Sequence, residues 1–200
     1  MSNTQKEFET RLMIDEERYF FIATYYMNHF PNKHFLQNTN IYFDTDDLFL
    51  RKEHMTLRVR FINDIKSELT LKIKGNAGDE EINDPLTPKE ADLLVKSNIF
   101  PYGQVRNRLM RLPYPLDKYH TIATLYNRRL EIDYEDHTLV IDKNTYGEIT
   151  DYNIEVESKI DINHAKKMMD AYIAKFQLPV SKEKYRGKAT RAITEALKNR

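Results

Sequence analysis

Leu57-Arg58-Val59-Arg60-Phe61 and Leu69-Thr70-Leu71-Lys72-Ile73-Lys74 place basic residues two apart with apolar residues between them. On a β-strand that period sends the apolar side chains to one face; Arg58 and Arg60, and Lys72 and Lys74, go to the other. Glu7-Phe8-Glu9-Thr10-Arg11 and Asn153-Ile154-Glu155-Val156-Glu157-Ser158-Lys159 repeat the pattern with acids. Like charges stacked on a sheet face repel. Strands of opposite sign become reasonable together if a multivalent anion and a divalent cation lie between them.

Each strand alone fits a sheet with one face on a core and the other in water. Leu130 and Ile132 oppose Arg129, Glu131 and Asp133; Ile154 and Val156 oppose Glu155 and Glu157. Jointly they fit less well, because a solvated face mixes signs, whereas here acids fall toward the termini and bases in the middle. A closed barrel with charged faces inward and apolar faces under helices accounts for that segregation. Arginine's planar fork suits bidentate phosphate contact, and lysine adds compact charge. Paired carboxylates offer hard oxygen donors to Mg²⁺ or Mn²⁺. The expected site is therefore one for a polyphosphate and a metal.

The remaining pattern supports an α+β chain. Strands are expected at Lys6–Ile14, Thr39–Thr45, Met55–Asn63, Glu68–Lys74, Thr121–Tyr126, Arg128–Glu135, Thr138–Lys143 and Tyr152–Lys159. Asp15, with Glu16 and Glu17 behind it, starts a helix that Pro31 ends, its buried face including Tyr19-Phe20-Phe21 and Tyr25-Tyr26. Gly75-Asn76-Ala77-Gly78 is turn chemistry, and Asp136-His137 marks a hairpin. Thr87-Pro88-Lys89-Glu90 opens a helical insertion at about 87–118 with a capping box, and its second helix is expected at Gly103–Leu112. C-terminal helices are expected at about 163–198, Asn163 capping the first and Lys188–Lys198 forming the last. Seven or eight mostly antiparallel strands with helices outside make a barrel-like single domain, residues 1–200.

Composition narrows the class further. Lys+Arg 31 balance Asp+Glu 31 among 200 residues, so no global field draws the chain to nucleic acid or an anionic membrane. The hydrophobic share of 40% excludes a disordered chain. Cysteine is absent, which excludes disulfides, thiolate metal sites and a cysteine nucleophile. No signal-peptide pattern opens the chain, and no apolar run reaches the roughly 18 residues of a membrane helix, so a cytoplasmic protein without a membrane partner is expected. The six histidines show no metal-ligand spacing, and phosphate-loop and nucleophile-elbow motifs are absent. Arg106, Arg108 and Arg111 read as a solvated helix face.

These motifs, in this order and over nearly the whole chain, resemble the CYTH family, also called triphosphate tunnel metalloenzymes. Its E-x-E-x-K opening is similar to Glu7-Phe8-Glu9-Thr10-Arg11. Its Y-F-D-T and L-R-x-R elements resemble Tyr42-Phe43-Asp44-Thr45 and Leu57-Arg58-Val59-Arg60, and its L-T-x-K resembles Leu69-Thr70-Leu71-Lys72. Arg129, Asp142, Asp151 through Glu157, and Lys188 with Arg191 match its later elements. The run Leu139 to Tyr152 looks most like the YjbK-like branch of Gram-positive bacteria.

The resemblance implies an eight-stranded antiparallel β-barrel, a triphosphate tunnel, with helices packed outside. Arg58, Arg60, Lys72, Lys74, Arg129, Lys188 and Arg191 would hold the phosphates. Glu7, Glu9, Asp142, Glu155 and Glu157 would hold Mg²⁺ or Mn²⁺, and Arg11 and Glu9 would serve catalysis. The partner would be a small-molecule triphosphate, inorganic or organic, and the chain a monomer or homodimer. Arg11 stands where the family usually has lysine; a guanidinium stays protonated, so it clamps phosphate and cannot act as a base. Three functions follow from the family: terminal-phosphate hydrolysis, adenylate cyclisation of the class IV type, and non-catalytic triphosphate or nucleotide binding, which Arg11 favours.

Overall fold

The computed structural model describes residues 3–30, 32–75, 79–180 and 185–198, with backbone alone at 3–7. Eight strands are β1 (Asn3–Ile14), β2 (Leu36–Asp44), β3 (Met55–Ile62), β4 (Lys66–Ile73), β5 (Asp79–Leu86), β6 (His120–Asp133), β7 (His137–Tyr146) and β8 (Ile149–Ser158). Among the described residues six α-helices accompany them: α1 (Glu16–His29), α2 (Phe49–Lys52), α3 (Pro88–Ser97), α4 (Gln104–Leu109), α5 (Ile162–Phe176) and α6 (Lys188–Lys198). The strands close into a barrel in the order β1-β5-β4-β3-β2-β6-β7-β8, every pair antiparallel. No helix among the described residues is long and apolar enough to cross a membrane.

The alternation read from the sequence becomes two faces. Leu57, Val59, Leu69, Leu71 and Ile82 pack outward against Leu94 of α3 and Val105 and Leu109 of α4. Leu12, Ile14, Leu130, Ile132, Leu139, Ile141, Ile154 and Val156 pack outward under α1 and α5, through Ile22, Tyr26, Ala165 and Met169. The neighbours in sequence, carrying the charges, are thereby turned inward. Burying an aliphatic side chain contributes about 1.5–3 kcal/mol, so this outer shell is what closes the barrel.

One end of the lumen is stoppered. Tyr42, which pairs with Arg58, and Leu125 and Tyr146, two or four residues from the inward Asn127, Arg129 and Asn144, share the inner face. Ala192 and Ile193 of α6 pack on those three side chains. The charged cavity therefore has an apolar stop at the α6 end.

Local chemistry explains most boundaries. Asp15 accepts the Arg18 N–H at the start of α1, and Thr87 with Glu90 forms the capping box of α3. Asp161, not Asn163, caps α5 by accepting the His164 N–H. The structure corrects other expectations as well. The pieces 121–126 and 128–135 are one strand, β6, because Asn127 between them is an inward residue and not a break. Acidic, proline-containing Asp79–Leu86, for which the sequence pattern predicts no strand, forms β5, pairing with β4 on one side and β1 on the other. Helix α4 is shorter than 103–112. In α1, Tyr19 and Tyr26 are buried, whereas Phe20 and Phe21 are exposed. Pro31 and the turn residues 76–78 lie outside the described residues.

A charged lumen as the candidate functional site

On the β3–β4 side the lumen is a cationic wall. Arg58 lies 3.8 Å from Glu81 of β5, Arg60 lies 3.5 Å from Glu68, and Lys72 Nζ lies 2.8 Å from Glu9 Oε1 and 3.8 Å from Asp79. These pairs leave donors over. The Nε atoms of Arg58 and Arg60 are both buried without a hydrogen-bond partner. Burial, then the like charges of Arg58 and Arg129, push the Arg60 pKa down to about 10. A guanidinium remains charged at neutral pH even so, and burial with the neighbouring guanidinia outweighs the pull of Glu68 and Glu81.

The β1–β8 side is acidic. One carboxylate oxygen each from Glu9, Glu155 and Glu157 lie within 4.8 Å of one another. Cross-strand register brings them together, Glu9 opposite Glu157 and Arg11 opposite Glu155. Glu155 is buried and ringed by cations: Arg11 Nε at 2.9 Å, Lys188 Nζ at 2.8 Å and Arg129 Nη2 at 3.2 Å. Burial opposes its charge, yet Lys188, Arg11 and Arg129 outweigh that and hold its carboxyl well below the usual range. Arg11 also bonds Glu9, and its guanidinium and that of Arg191 lie 5.6 and 5.2 Å from the ring centre of Tyr185. Burial works against Arg11 too, but Glu155 and Glu9 raise its pKa. The oxygen-only donor set of Glu9, Glu155 and Glu157 suits a hard divalent cation.

Asp142 lies in a different set of contacts. Arg129 grips it in a fork, Nε to Oδ1 at 2.9 Å and Nη2 to Oδ2 at 3.0 Å, and Lys188 Nζ sits 2.5 Å from Oδ2. Burial raises its pKa, and Arg129 and Lys188 more than reverse this. Among the described residues Asp142 is outside the carboxylate trio, its oxygens being taken up by these partners and Asn127. Arg191 makes its own fork, to Asp151 at 2.7 and 3.0 Å. Lys74 follows the last residue of β4 and is exposed, so the period-two extrapolation overran the strand. The Glu7 side chain lies outside the described residues.

Charge patterning overlooked a neutral belt. Asn38 donates to Asn127 at 3.0 Å, Asn127 to Asn144 at 3.0 Å and Asn144 to Asn153 at 2.8 Å, crossing β2, β6, β7 and β8. Asn127 also donates to Asp142 at 2.9 Å, so the belt fixes the carboxylate that fixes Arg129. Its signal was available: these asparagines occupy the same inward parity as the charges. Glu81, on the unassigned β5, was missed with its strand.

Comparison with known proteins agrees with this architecture. The CYTH domain family profile matches residues 5–183, and the chain belongs to that family. It is 31% identical over 147 residues to YjbK of Bacillus subtilis (strain 168), which carries a provisional triphosphatase assignment; the match covers 74% of this chain and 75% of YjbK. A crystal structure from Bacillus halodurans, provisionally assigned as an adenylate cyclase, is 29% identical, with TM-score 0.83 over 94% of this chain and 97% of that one. HpAC1 from Hippeastrum, provisionally assigned as an adenylyl cyclase and described as having a dominant triphosphatase activity, shares the fold at 18% identity and TM-score 0.73, over 90% and 92%.

Proposed function

We propose that this chain hydrolyses the terminal phosphate of a triphosphate, inorganic tripolyphosphate or an organic triphosphate, with Mg²⁺ or Mn²⁺ bound. One observation carries the reading: within a single lumen, buried arginine donors lacking partners face a carboxylate trio. The unpartnered donors of the cationic wall have no structural use that justifies their desolvation. Membership of CYTH and the triphosphatase assignment of YjbK support it.

Phosphoryl transfer asks a protein mainly for positioning and charge stabilisation. Arg58, Arg60 and Lys72 would bind the non-bridging oxygens, with Arg129 and Lys188 reaching from the opposite side. Glu9, Glu155 and Glu157 would hold the cation, which lowers the pKa of water and neutralises phosphate charge when bound. Arg11 stays charged and would orient the triphosphate and Glu9; Glu9 would take the proton of the attacking water. The α6 stop keeps bulk water from that end.

The provisional assignment of the Bacillus halodurans relative favours adenylate cyclisation as a second reading. Phosphate release from tripolyphosphate, thiamine triphosphate and ATP, each with Mg²⁺ and Mn²⁺, separates the possibilities. Metal-dependent release that Glu157→Ala abolishes is the expected result. Cyclic AMP from ATP selects the second reading, and tight binding without turnover rejects both.

A further inference from the structure

Glu155 is the meeting point of two arrangements that exclude each other. It belongs to the carboxylate trio with Glu9 and Glu157, yet Arg11, Arg129 and Lys188 already surround it. A divalent cation entering the trio would stand against these positive charges at a few ångströms, inside a lumen that screens poorly. The three differ in how firmly they are held. Arg129 keeps its fork on Asp142, and Arg11 keeps Glu9 and the Tyr185 ring. Lys188 has Asp142 as its other anion, which Arg129 satisfies anyway, and its four-carbon stem turns freely compared with a guanidinium fork. It also stands on the first residue of α6, at the end of the charged space.

We propose that Lys188 is a built-in substitute for the metal: its ammonium neutralises Glu155 in the resting protein, the cation displaces it, and the displaced ammonium then binds the incoming triphosphate. The idea rests on the function proposed above. Lys188 would oppose metal binding while no anion is present and favour it once the triphosphate is there to receive the ammonium. Metal and triphosphate affinities are then linked, each raising the other by the same factor. The exchange also keeps Glu155 compensated at every stage, as a buried carboxylate requires.

Mn²⁺ titration of the full chain without anion, followed by water-proton relaxation or calorimetry, tests this. Lys188→Met should bind Mn²⁺ about tenfold more tightly than the parent, within the usual range of site coupling. Lys198→Met removes an equal charge from the same helix but an exposed one held by Glu195, and should leave Mn²⁺ affinity unchanged. With the imido analogue of tripolyphosphate, the Lys188→Met loss in affinity should be about tenfold with Mn²⁺ present and under twofold in EDTA. Unchanged or weaker Mn²⁺ binding by Lys188→Met, in a variant whose circular dichroism matches the parent, overturns the exchange. If instead Glu157→Gln leaves Mn²⁺ binding intact, or the parent binds no Mn²⁺, the metal reading itself fails and the exchange falls with it.

Discussion

The two walls of the lumen carry opposite charges and opposite degrees of compensation. On the acidic side every oxygen of Glu155 and Asp142 has a cation or amide against it, and both carboxyls titrate below their ordinary range. On the basic side Arg58 and Arg60 meet carboxylates at 3.8 and 3.5 Å and keep buried Nε donors without partners. The first wall is compensated more closely than the second, although Arg11 Nε and Glu155 Oε1, 2.9 Å apart, also lie buried without hydrogen-bond geometry; under the proposed function the second wall awaits an anion. Substitution of the fully ion-paired Asp142 should therefore injure the fold, and substitutions in the basic wall should injure function while sparing it.

The largest effect is expected at Asp142. Asp142→Ala strands Arg129 and Lys188 in a buried setting, and loss of one partner from such a network costs about 3–5 kcal/mol. Urea denaturation should show it as a lowered midpoint. A loss under 1 kcal/mol, an effect usual for exposed pairs, erases the contrast between the walls.

Arg60→Met comes next and should do the reverse. Losing charge-assisted phosphate contacts worth about 2.7 kcal/mol lowers kcat/KM for tripolyphosphate about a hundredfold. Stability should hold or rise by about 1 kcal/mol, because an apolar group replaces an undercompensated buried charge. Paired turnover and denaturation measurements on one preparation decide the matter. If Arg60→Met unfolds as readily as Asp142→Ala, the basic wall is structural.

How much of this the sequence disclosed follows from the same contrast. Period-two alternation made Arg58, Arg60, Glu9, Glu155 and Glu157 legible as one face each, because a strand's side-chain period is fixed by backbone geometry. Opposite signs on different strands made an enclosed lumen the economical explanation. What alternation could not give was pairing: that Asp142 stands opposite Arg129 follows only from the strand register. The asparagine belt was invisible to a search for charge, although Asn127, Asn144 and Asn153 sit in phase with it. Strand β5 escaped because Asp79-Glu80-Glu81 and Pro85 have low strand propensity, and its apolar content is little more than Ile82 and Leu86. Pairing on both sides overrode weak propensity there. Lys74 failed for the opposite reason, since the period continued past the end of the strand that gave it meaning.

The pH profile is a milder probe of the acidic wall. Both depressed carboxyls are charged in the folded chain at pH values where unfolded carboxylates, near pKa 4, begin to protonate. A group with a lowered folded pKa contributes stability above its unfolded pKa and loses it as pH falls toward the folded one. Their contribution should hold level from pH 7 to 5 and decline below about 4, by about 1.4 kcal/mol per pH unit for each group. Asp142→Asn should flatten the decline. Thermal unfolding between pH 7 and 3 reads both, and a parent profile already falling at pH 6 contradicts the assignment.

The smallest expected effect sharpens the contrast from inside the basic wall. Glu68 is the carboxylate paired with Arg60, at 3.5 Å and partly exposed. Neutralising it deepens the deficit that makes the wall attract anions, without opening a cavity. Glu68→Gln should cost under about 1 kcal/mol of stability, the range of partly exposed ion pairs. It should bind the imido analogue of tripolyphosphate a few-fold more tightly, the gain shrinking as salt rises. Calorimetry at two ionic strengths measures it. Weaker binding by Glu68→Gln would mean that Glu68 orients Arg60 for phosphate, and that the wall is tuned by geometry more than by its surplus of charge.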